Sequence, residues 1–343
     1  MRQAMATRKE VAELAGVSEA TVSRVLNGVG PIKESTRARV REAAEKLGYQ
    51  LNAVAASFAR GKSGNIGVVL PHVPKVHLFS TYYFSEILSG IGEAVRESGQ
   101  GLLLLYRDPG EAYDYASLFA TQRVDACLVL GASYQPREME SIVRMAELGL
   151  PFCVVDQRYD DPRIPSVCAD HVTGSYLATK HLLDAGRRRI GFLNGSARYS
   201  NSADRAQGYR KAMEEAGAPA DPDLIYEGNY SRTSGFEAAS AVRRDLERLD
   251  ALVCANDRMA IGLIQGLREQ GCRMPEALPV VGYDDSDAAS LFDPPLTTVE
   301  VPFYEMGKLA AERLLEGRKS EEGLRPFRET LSTRLIVRKS SLI

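Results

Sequence analysis

Thr7-Arg8-Lys9-Glu10-Val11-Ala12-Glu13-Leu14-Ala15-Gly16-Val17-Ser18-Glu19-Ala20-Thr21-Val22-Ser23-Arg24-Val25-Leu26-Asn27 reads as two short helices around a tight turn. Thr7 and Glu10 have capping-box spacing, so the threonine hydroxyl accepts from the Glu10 amide while Glu10 reaches back to the Thr7 amide. A helix therefore starts at Arg8. Val11, Leu14 and Ala15 share one face of it, and Gly16 tolerates the left-handed backbone at which it stops. Ser18 is a good N-cap for the second helix, whose apolar face is Val22, Val25 and Leu26. Glu19, Ala20, Thr21, Ser23, Arg24 and Asn27 are left to point outward. A polar outer face on the second helix of such a pair is what a DNA major groove would meet, although spacing alone also allows an ordinary helical hairpin.

Working outward, Ser35 to Leu47 reads as a third helix, with Val40, Ala43, Ala44 and Leu47 closing a small core. Residues 1 to 62 hold eleven Lys and Arg against six Glu, a net of +5, while the rest of the chain holds 32 basic against 39 acidic residues, a net of −7. Only the first part has the electrostatic footprint of a phosphate-backbone binder. Asn52 to Arg60 is helix-prone but about two turns long, and isolated helices below roughly 12 residues are marginal in water. Gly61-Lys62-Ser63-Gly64 then reads as a flexible joint.

From Asn65 onward short apolar runs alternate with amphipathic stretches: Ile66 to Leu70, Leu102 to Tyr106, Ala126 to Leu130, Phe152 to Val155, Ile190 to Leu193, Ala251 to Cys254 and Pro279 to Gly282. This is the rhythm of a doubly wound α/β fold with parallel sheets. A chain of 343 residues is also too long for one simple core and implies two or three domains. Such folds place ligands at the carboxyl ends of their strands. There the chain offers Asp156, Asn256-Asp257 and Asp284-Asp285, with Arg205 opening another helix; carboxylates and an arginine converging on a cleft would pair with ligand hydroxyls or amides. Helix capping is the structural alternative for each of them taken singly.

Enzyme signatures are weak. Gly90-Ile91-Gly92 lies inside a helical pattern and not after a strand, and no phosphate loop is present. His72, His77, His171 and His181 have no metal-binding spacing and are expected at the surface or cleft edge. Arg187-Arg188-Arg189 reads as a solvated loop. Cys127, Cys153, Cys168, Cys254 and Cys272 are odd in number and mostly within apolar runs, which suits small buried hydrophobes in a reducing compartment. No catalytic residue, cofactor or metal site is expected. The N-terminus lacks an apolar signal core and no run approaches the roughly 18 apolar residues of a membrane span, so a cytoplasmic, nucleoid-associated protein is expected.

Gly16-Val17-Ser18, Thr21-Val22-Ser23-Arg24-Val25-Leu26-Asn27-Gly28, Thr36-Arg37 and Leu47-Gly48-Tyr49, in that order, resemble the headpiece of the LacI/GalR family of bacterial transcription regulators. The resemblance continues through nearly all of the chain. It implies a helix-turn-helix headpiece at 1–50, a hinge helix and linker at 51–63, and an effector-binding and dimerisation domain at 64–343. That domain would be a two-lobed sensor of the periplasmic-binding-protein type, with lobe 1 at about 64–167 and 298–326 and lobe 2 at about 168–297 and 327–343. Crossings between lobes are placed near Val167, Thr298 and Phe327. In this geometry Glu19, Ala20 and Arg24 would read base edges, Thr21, Ser23 and Asn27 would position the helix on phosphate, and Ser18 would also belong to the DNA-binding set. Asn52 belongs to the hinge. Phe58 stands where the family carries a leucine that wedges into the minor groove from each subunit.

The family motifs matched by Cys254-Ala255-Asn256-Asp257-Arg258-Met259-Ala260 and Val281-Gly282-Tyr283-Asp284-Asp285 imply effector contacts for Asn256, Asp257 and Asp284. Tyr83, Phe84 and Tyr230 would stack on a sugar ring or base. Tyr199 stands where purine-responsive members carry an arginine, which favours a sugar or sugar derivative over a nucleobase or nucleoside. Lys33 replaces the usual capping serine, and Leu51 the usual proline before Asn52. The closing stretch Leu335 to Ile343 shows no heptad repeat of the kind that builds tetramers, so a homodimer on a double-stranded operator is expected. A transport binding protein would share the sensor but not the headpiece, and a sugar-modifying enzyme would need a base or nucleophile that is not apparent.

Overall fold

The structure is a computed structural model and describes residues 6–49, 62–73, 77–109, 111–318 and 324–342. Asn52 and Phe58 lie outside the described residues, as does the rest of the expected hinge helix.

Three helices build the headpiece: α1 (Arg8–Ala15), α2 (Glu19–Leu26) and α3 (Glu34–Lys46). Both arms of the Thr7 capping box are made, and Gly16 ends α1 at φ +63°. Lys33 precedes α3 without capping it, since its side chain has no oxygen to offer the free amides. The core is Val11, Ala12, Ala15, Val22, Val25, Val40, Ala43 and Ala44. Leu14, expected inside, is 53% exposed, and Leu47 is also exposed. Three short helices meet here through small side chains, and the Val11-Ala12-Ala15 ridge permits a closer approach than one built on Leu14.

Beyond the headpiece, the first sheet is built from β1 (Asn65–Pro71), β2 (Gly101–Arg107), β3 (Ala126–Leu130), β4 (Phe152–Val155), β5 (Ser166–Ala169) and β11 (Arg328–Leu331). Its strands are all parallel and run in the order β11-β5-β4-β3-β1-β2. The second sheet is built from β6 (Ile190–Asn194), β7 (Ile225–Glu227), β8 (Ala251–Cys254) and β9 (Val280–Val281), in the order β7-β6-β8-β9. An antiparallel pair, β10 (Thr298–Glu300) and β12 (Arg334–Ile336), lies between them in the chain's return path. The chain leaves the first sheet after Ala169, returns after Glu300 and leaves again between Leu331 and Arg334. The last passage falls later than the expected Phe327, because Arg328–Leu331 pairs in parallel with β5 from Ser166 to Ala169.

Central strands are apolar along both faces because helices cover both sides of a parallel sheet. In β1, Ile66, Val68 and Leu70 join one core and Val69 the other. The Gly90-Ile91-Gly92 stretch is a packing device. It sits in α4 (Tyr82–Glu97), which lies on α12 (Phe303–Gly317). A β-carbon on Gly90 would come 2.0 Å from the Tyr304 carbonyl, and one on Gly307 would come 2.1 Å from that of Ile87. The two helices thus touch backbone to backbone at paired glycines, and Lys308 pairs with Glu93 (2.9 Å) beside that crossing.

Ser63 and Gly64, read as part of a flexible joint, are held. Asp125 accepts from the Ser63 amide (2.7 Å), the Ser63 hydroxyl (3.0 Å) and the Gly64 amide (2.9 Å), and pairs with Arg318 (2.8 Å). The chain therefore enters the sensor at a fixed point. No described helix is long and apolar enough to cross a membrane.

Candidate functional site

On the headpiece, Ser18 caps α2 by accepting from the Thr21 amide (3.2 Å) and shares a hydrogen bond with the Thr21 hydroxyl (2.9 Å). The Asn27 side-chain amide donates to the Ser23 carbonyl (2.8 Å). Thr21, Ser23 and Asn27 are half-buried, whereas Glu19, Ala20 and Arg24 stand exposed. Glu19 is steadied by Arg8 (3.0 Å) across the turn. The arrangement presents a carboxylate, a methyl and a guanidinium on one exposed face, the complement of cytosine amino, thymine methyl and guanine edges.

A cavity of about 380 Å³ opens at the carboxyl ends of the strands of both sheets, within the range of small-molecule sites. From the first lobe come Tyr83 and Phe84 of α4 and Asp156 after β4. From the second come Tyr199 and Arg205 around the start of α8 (Ser200–Glu215), Tyr230 after β7, Asn256 before α10 (Asp257–Glu269) and Asp284 after β9. Eight of the nine expected effector residues are thus brought to one wall. Asp257 is not: its side chain is fully buried behind the wall.

Backbone strain concentrates here. Asp156 (φ +60°), Tyr230 (φ +67°) and Asp284 (φ +109°) all adopt conformations that L residues avoid, and such strain is held where a site needs it. Gly195 makes room for Tyr230, since a β-carbon there would lie 2.1 Å from its ring.

The polar floor is one connected network. Arg205, only 2% exposed, donates to the Ala255 carbonyl (2.6 Å), lies 3.7 Å from Asp284 and stacks 4.1 Å from the centroid of Tyr283. It also donates to His171 Nδ1 (3.4 Å). A guanidinium can only donate, so Nδ1 accepts and the ring proton sits on Nε2, facing Asp156 Oδ1 at 2.7 Å. His171, expected at the surface or cleft edge, is therefore sealed in the floor. Burial alone would raise Asp156, but His171, Arg205 and Asn201 outweigh it and hold the carboxyl below its usual range. Asp284 is pushed the other way: burial raises it well above its ordinary value despite Arg205. Its Oδ1 has no hydrogen-bond partner among the described residues.

The start of α8 also ties the lobes together. Asn201 donates to Asp156 (2.9 Å), the Ser200 amide to Gln157 (2.9 Å), and the Arg158 amide to the Ser200 hydroxyl (3.0 Å), while Arg158 pairs with Asp204. Asn201 and Arg258 line the cavity too, and sequence reasoning missed both. Arg258 stood inside a quoted motif, two residues after Asn256, and is the one of the two that could have been found.

Asp257 accepts from Thr298 Oγ1 (2.6 Å), the Ser286 amide (2.8 Å) and the Ser286 hydroxyl (2.9 Å), which fixes the loop after β9 against β10. Burial pushes its carboxyl up to about 7 from an ordinary 3.8, and those donors only partly oppose it. A carboxyl raised on folding favours the folded state while protonated, so its contribution is lost as pH rises through about 7. The unfolding midpoint should therefore fall between about pH 4 and about pH 7, the ordinary and the raised values, and Asp257→Asn should flatten that fall. Equal slopes in thermal melts of the two proteins would clear Asp257 as the source.

Comparison with known proteins agrees with this division. Residues 7–52 match the family described as bacterial regulatory proteins, lacI family, and residues 179–341 match the periplasmic binding protein-like domain. The HTH-type transcriptional repressor PurR of Vibrio atlanticus is 35% identical, with 93% of each chain covered. PurR of Photobacterium profundum is 33% identical over 98% of each. Among solved structures, a transcriptional regulator CelR–cellobiose complex is 32% identical with a TM-score of 0.73, covering 98% of this chain and 99% of that one. A Lac repressor dimer bound to operator and the anti-inducer ONPF is 27% identical, with the same coverage and a TM-score of 0.83.

Proposed function

The chain belongs to the LacI family of bacterial regulatory proteins, and from that premise we infer that its cavity takes a sugar or sugar derivative whose binding sets the affinity for operator DNA. It is a DNA-binding repressor. The observation that carries the effector class is the composition of the cavity wall. Tyr83, Phe84, Tyr199 and Tyr230 supply flat apolar faces for the C–H surface of a pyranose, and Arg205, Asn201, Asn256 and Asp284 supply donors and acceptors for its hydroxyls. By the family resemblance, Tyr199 also stands where purine-responsive members carry an arginine, which supports the sugar reading. A nucleobase or nucleoside is the second reading, and the relatives named PurR favour it. A thermal-shift panel of sugars, sugar derivatives, nucleobases and nucleosides on the full chain decides between them; stabilisation by a base and by no sugar would overturn the first.

For operator binding, the reading assigns Glu19, Ala20 and Arg24 to bases, and Ser18, Thr21, Ser23 and Asn27 to placement on the backbone. The partner is a second copy of the chain on a pseudo-palindromic site. β2 supports this, being an open edge of the first sheet with Leu102 and Tyr106 exposed, and Phe79 is exposed in the same lobe. Asn52 and Phe58, outside the described residues, keep the hinge roles the resemblance implies. Phe58→Ala is expected to weaken operator binding at least roughly tenfold, about 1.4 kcal/mol, while effector affinity stays the same. An unchanged gel-shift titration would remove the wedge. The anchorage of Ser63 and Gly64 on Asp125 gives lobe movement a fixed lever on that hinge.

A further inference from the structure

Arg258 stands on the cavity wall, half-buried, and makes no hydrogen bond or ion pair with any described residue. Asp156 and Arg205, on the same wall, are both engaged. Asp156 is held by His171 and Asn201, and Arg205 by the Ala255 carbonyl, Tyr283 and Asp284. A guanidinium half withdrawn from water and left without a partner is costly unless something completes it. Burial already pushes Arg258 down from its ordinary value, with Asp284 the only group that opposes this.

The backbone adds to this charge. Four long helices present their N-terminal turns to the same cavity: α4 through Thr81 and Tyr82, α8 through Tyr199 and Asn201, α9 (Arg232–Arg244) through Ser231, and α10 through Asn256 and Arg258 itself. Each such end carries about half a positive charge and free amide donors. The carboxyl whose charge acts on Arg258 does little to cancel it, since burial favours the neutral form of Asp284. The same residue, more than nine-tenths buried on the wall with Oδ1 unbonded, shows that the cavity still lacks a hydrogen-bonding occupant.

Resting on the sugar-derivative reading above, we propose that the effector carries an acidic group, a phosphate or a carboxylate, and that Arg258 holds it while Asp284 and Arg205 meet ring hydroxyls. A planar guanidinium fork matches either oxyanion with two parallel hydrogen bonds. The wall is then complementary to a sugar phosphate or sugar acid and not to the neutral parent sugar.

The test is a thermal-shift and calorimetry panel on the full chain after exhaustive dialysis, using matched sets: a neutral hexose or disaccharide, its phosphate ester, and its uronic or aldonic acid. At least one acid-bearing member should stabilise the protein more than its neutral parent, and the phosphate and carboxylate arms identify which acid. Arg258→Gln should weaken that member by roughly tenfold or more and erase its advantage, with Arg258→Lys recovering part of it. The unfolding midpoint without ligand should not fall in either variant, because Arg258 makes no hydrogen bond or ion pair with a described residue. If no acid-bearing member outperforms its parent, or if Arg258→Gln keeps the full preference, the proposal is overturned. Stabilisation by neutral sugars with Arg258 silent overturns it while leaving the sugar reading intact; stabilisation by nucleobases alone overturns both.

Discussion

Replacing Arg205 with alanine should weaken effector binding at least about 100-fold, or about 2.7 kcal/mol, and with it the effector's control of operator affinity. The size follows from where the guanidinium sits. It is buried in the cavity floor, bonded to the Ala255 carbonyl and to His171, and it is the cation beside Asp284. Removing it leaves the Ala255 carbonyl and His171 Nδ1 without their buried donor, and each acceptor orphaned in this way costs about 1 to 3 kcal/mol. Part of that cost will appear as lost stability, so Arg205→Lys is the needed companion. Lysine keeps the charge but cannot reproduce the fork that reaches Ala255 and His171 together, and the expected loss persists. The measurement is calorimetry with whichever compound stabilises the wild type, beside a gel shift without effector. Operator affinity without effector should stay close to wild type, because the headpiece has its own core. Normal effector affinity in both variants would remove Arg205 from the site.

The second large effect is on the fold itself. Gly90→Val should destabilise the first lobe by at least about 3 kcal/mol, the upper end of overpacking penalties. The added carbons would collide with the Tyr304 carbonyl and the Lys308 amide, which are backbone atoms that no rotamer change can move aside. The helices would have to separate, loosening the crossing that Gly307 completes from the other side. Two positions along the same helix lies a control. A β-carbon on Gly92 meets nothing within 4 Å, so Gly92→Ala should be neutral or stabilising by up to about 1 kcal/mol. Chemical denaturation of the two variants reads the difference, and equal midpoints would refute the close-packing account.

Much of this architecture is legible in the residues. Apolar runs mark β1, β3, β4 and β8 because those strands are buried on both faces, and Asp156, Asn256 and Asp284 stand where such strands end. β11 is not legible in that way. Arg328-Glu329-Thr330-Leu331 is an edge strand with alternating exposure, so it carries no apolar run, and the last crossing is misplaced for that reason. Asp257 reads like its neighbour Asn256, yet successive residues at a helix start point to different sides: Asn256 faces the cavity and Asp257 the core. His171 is hidden for another cause. Its partner Asp156 is fifteen residues away, at the end of a strand in the other lobe, and only the apposition of the lobes joins them. Arg258 illustrates the converse, since a residue between the better-known positions of a familiar motif attracts no notice until its surroundings are seen.

The first two turns of α8 serve two masters, and this constrains how the protein can change over generations. Tyr199, Asn201 and Arg205 face the cavity, while Ser200, Asn201 and Asp204 grip Gln157, Asp156 and Arg158 of the opposite lobe. A substitution at Asn201, which both lines the cavity and bonds Asp156, is expected to change ligand preference and the resting balance between the lobes together, and so the basal level of repression. New specificities arising through this segment will carry altered leakiness with them, whereas those arising at Arg258, which grips nothing among the described residues, are free to drift without that penalty.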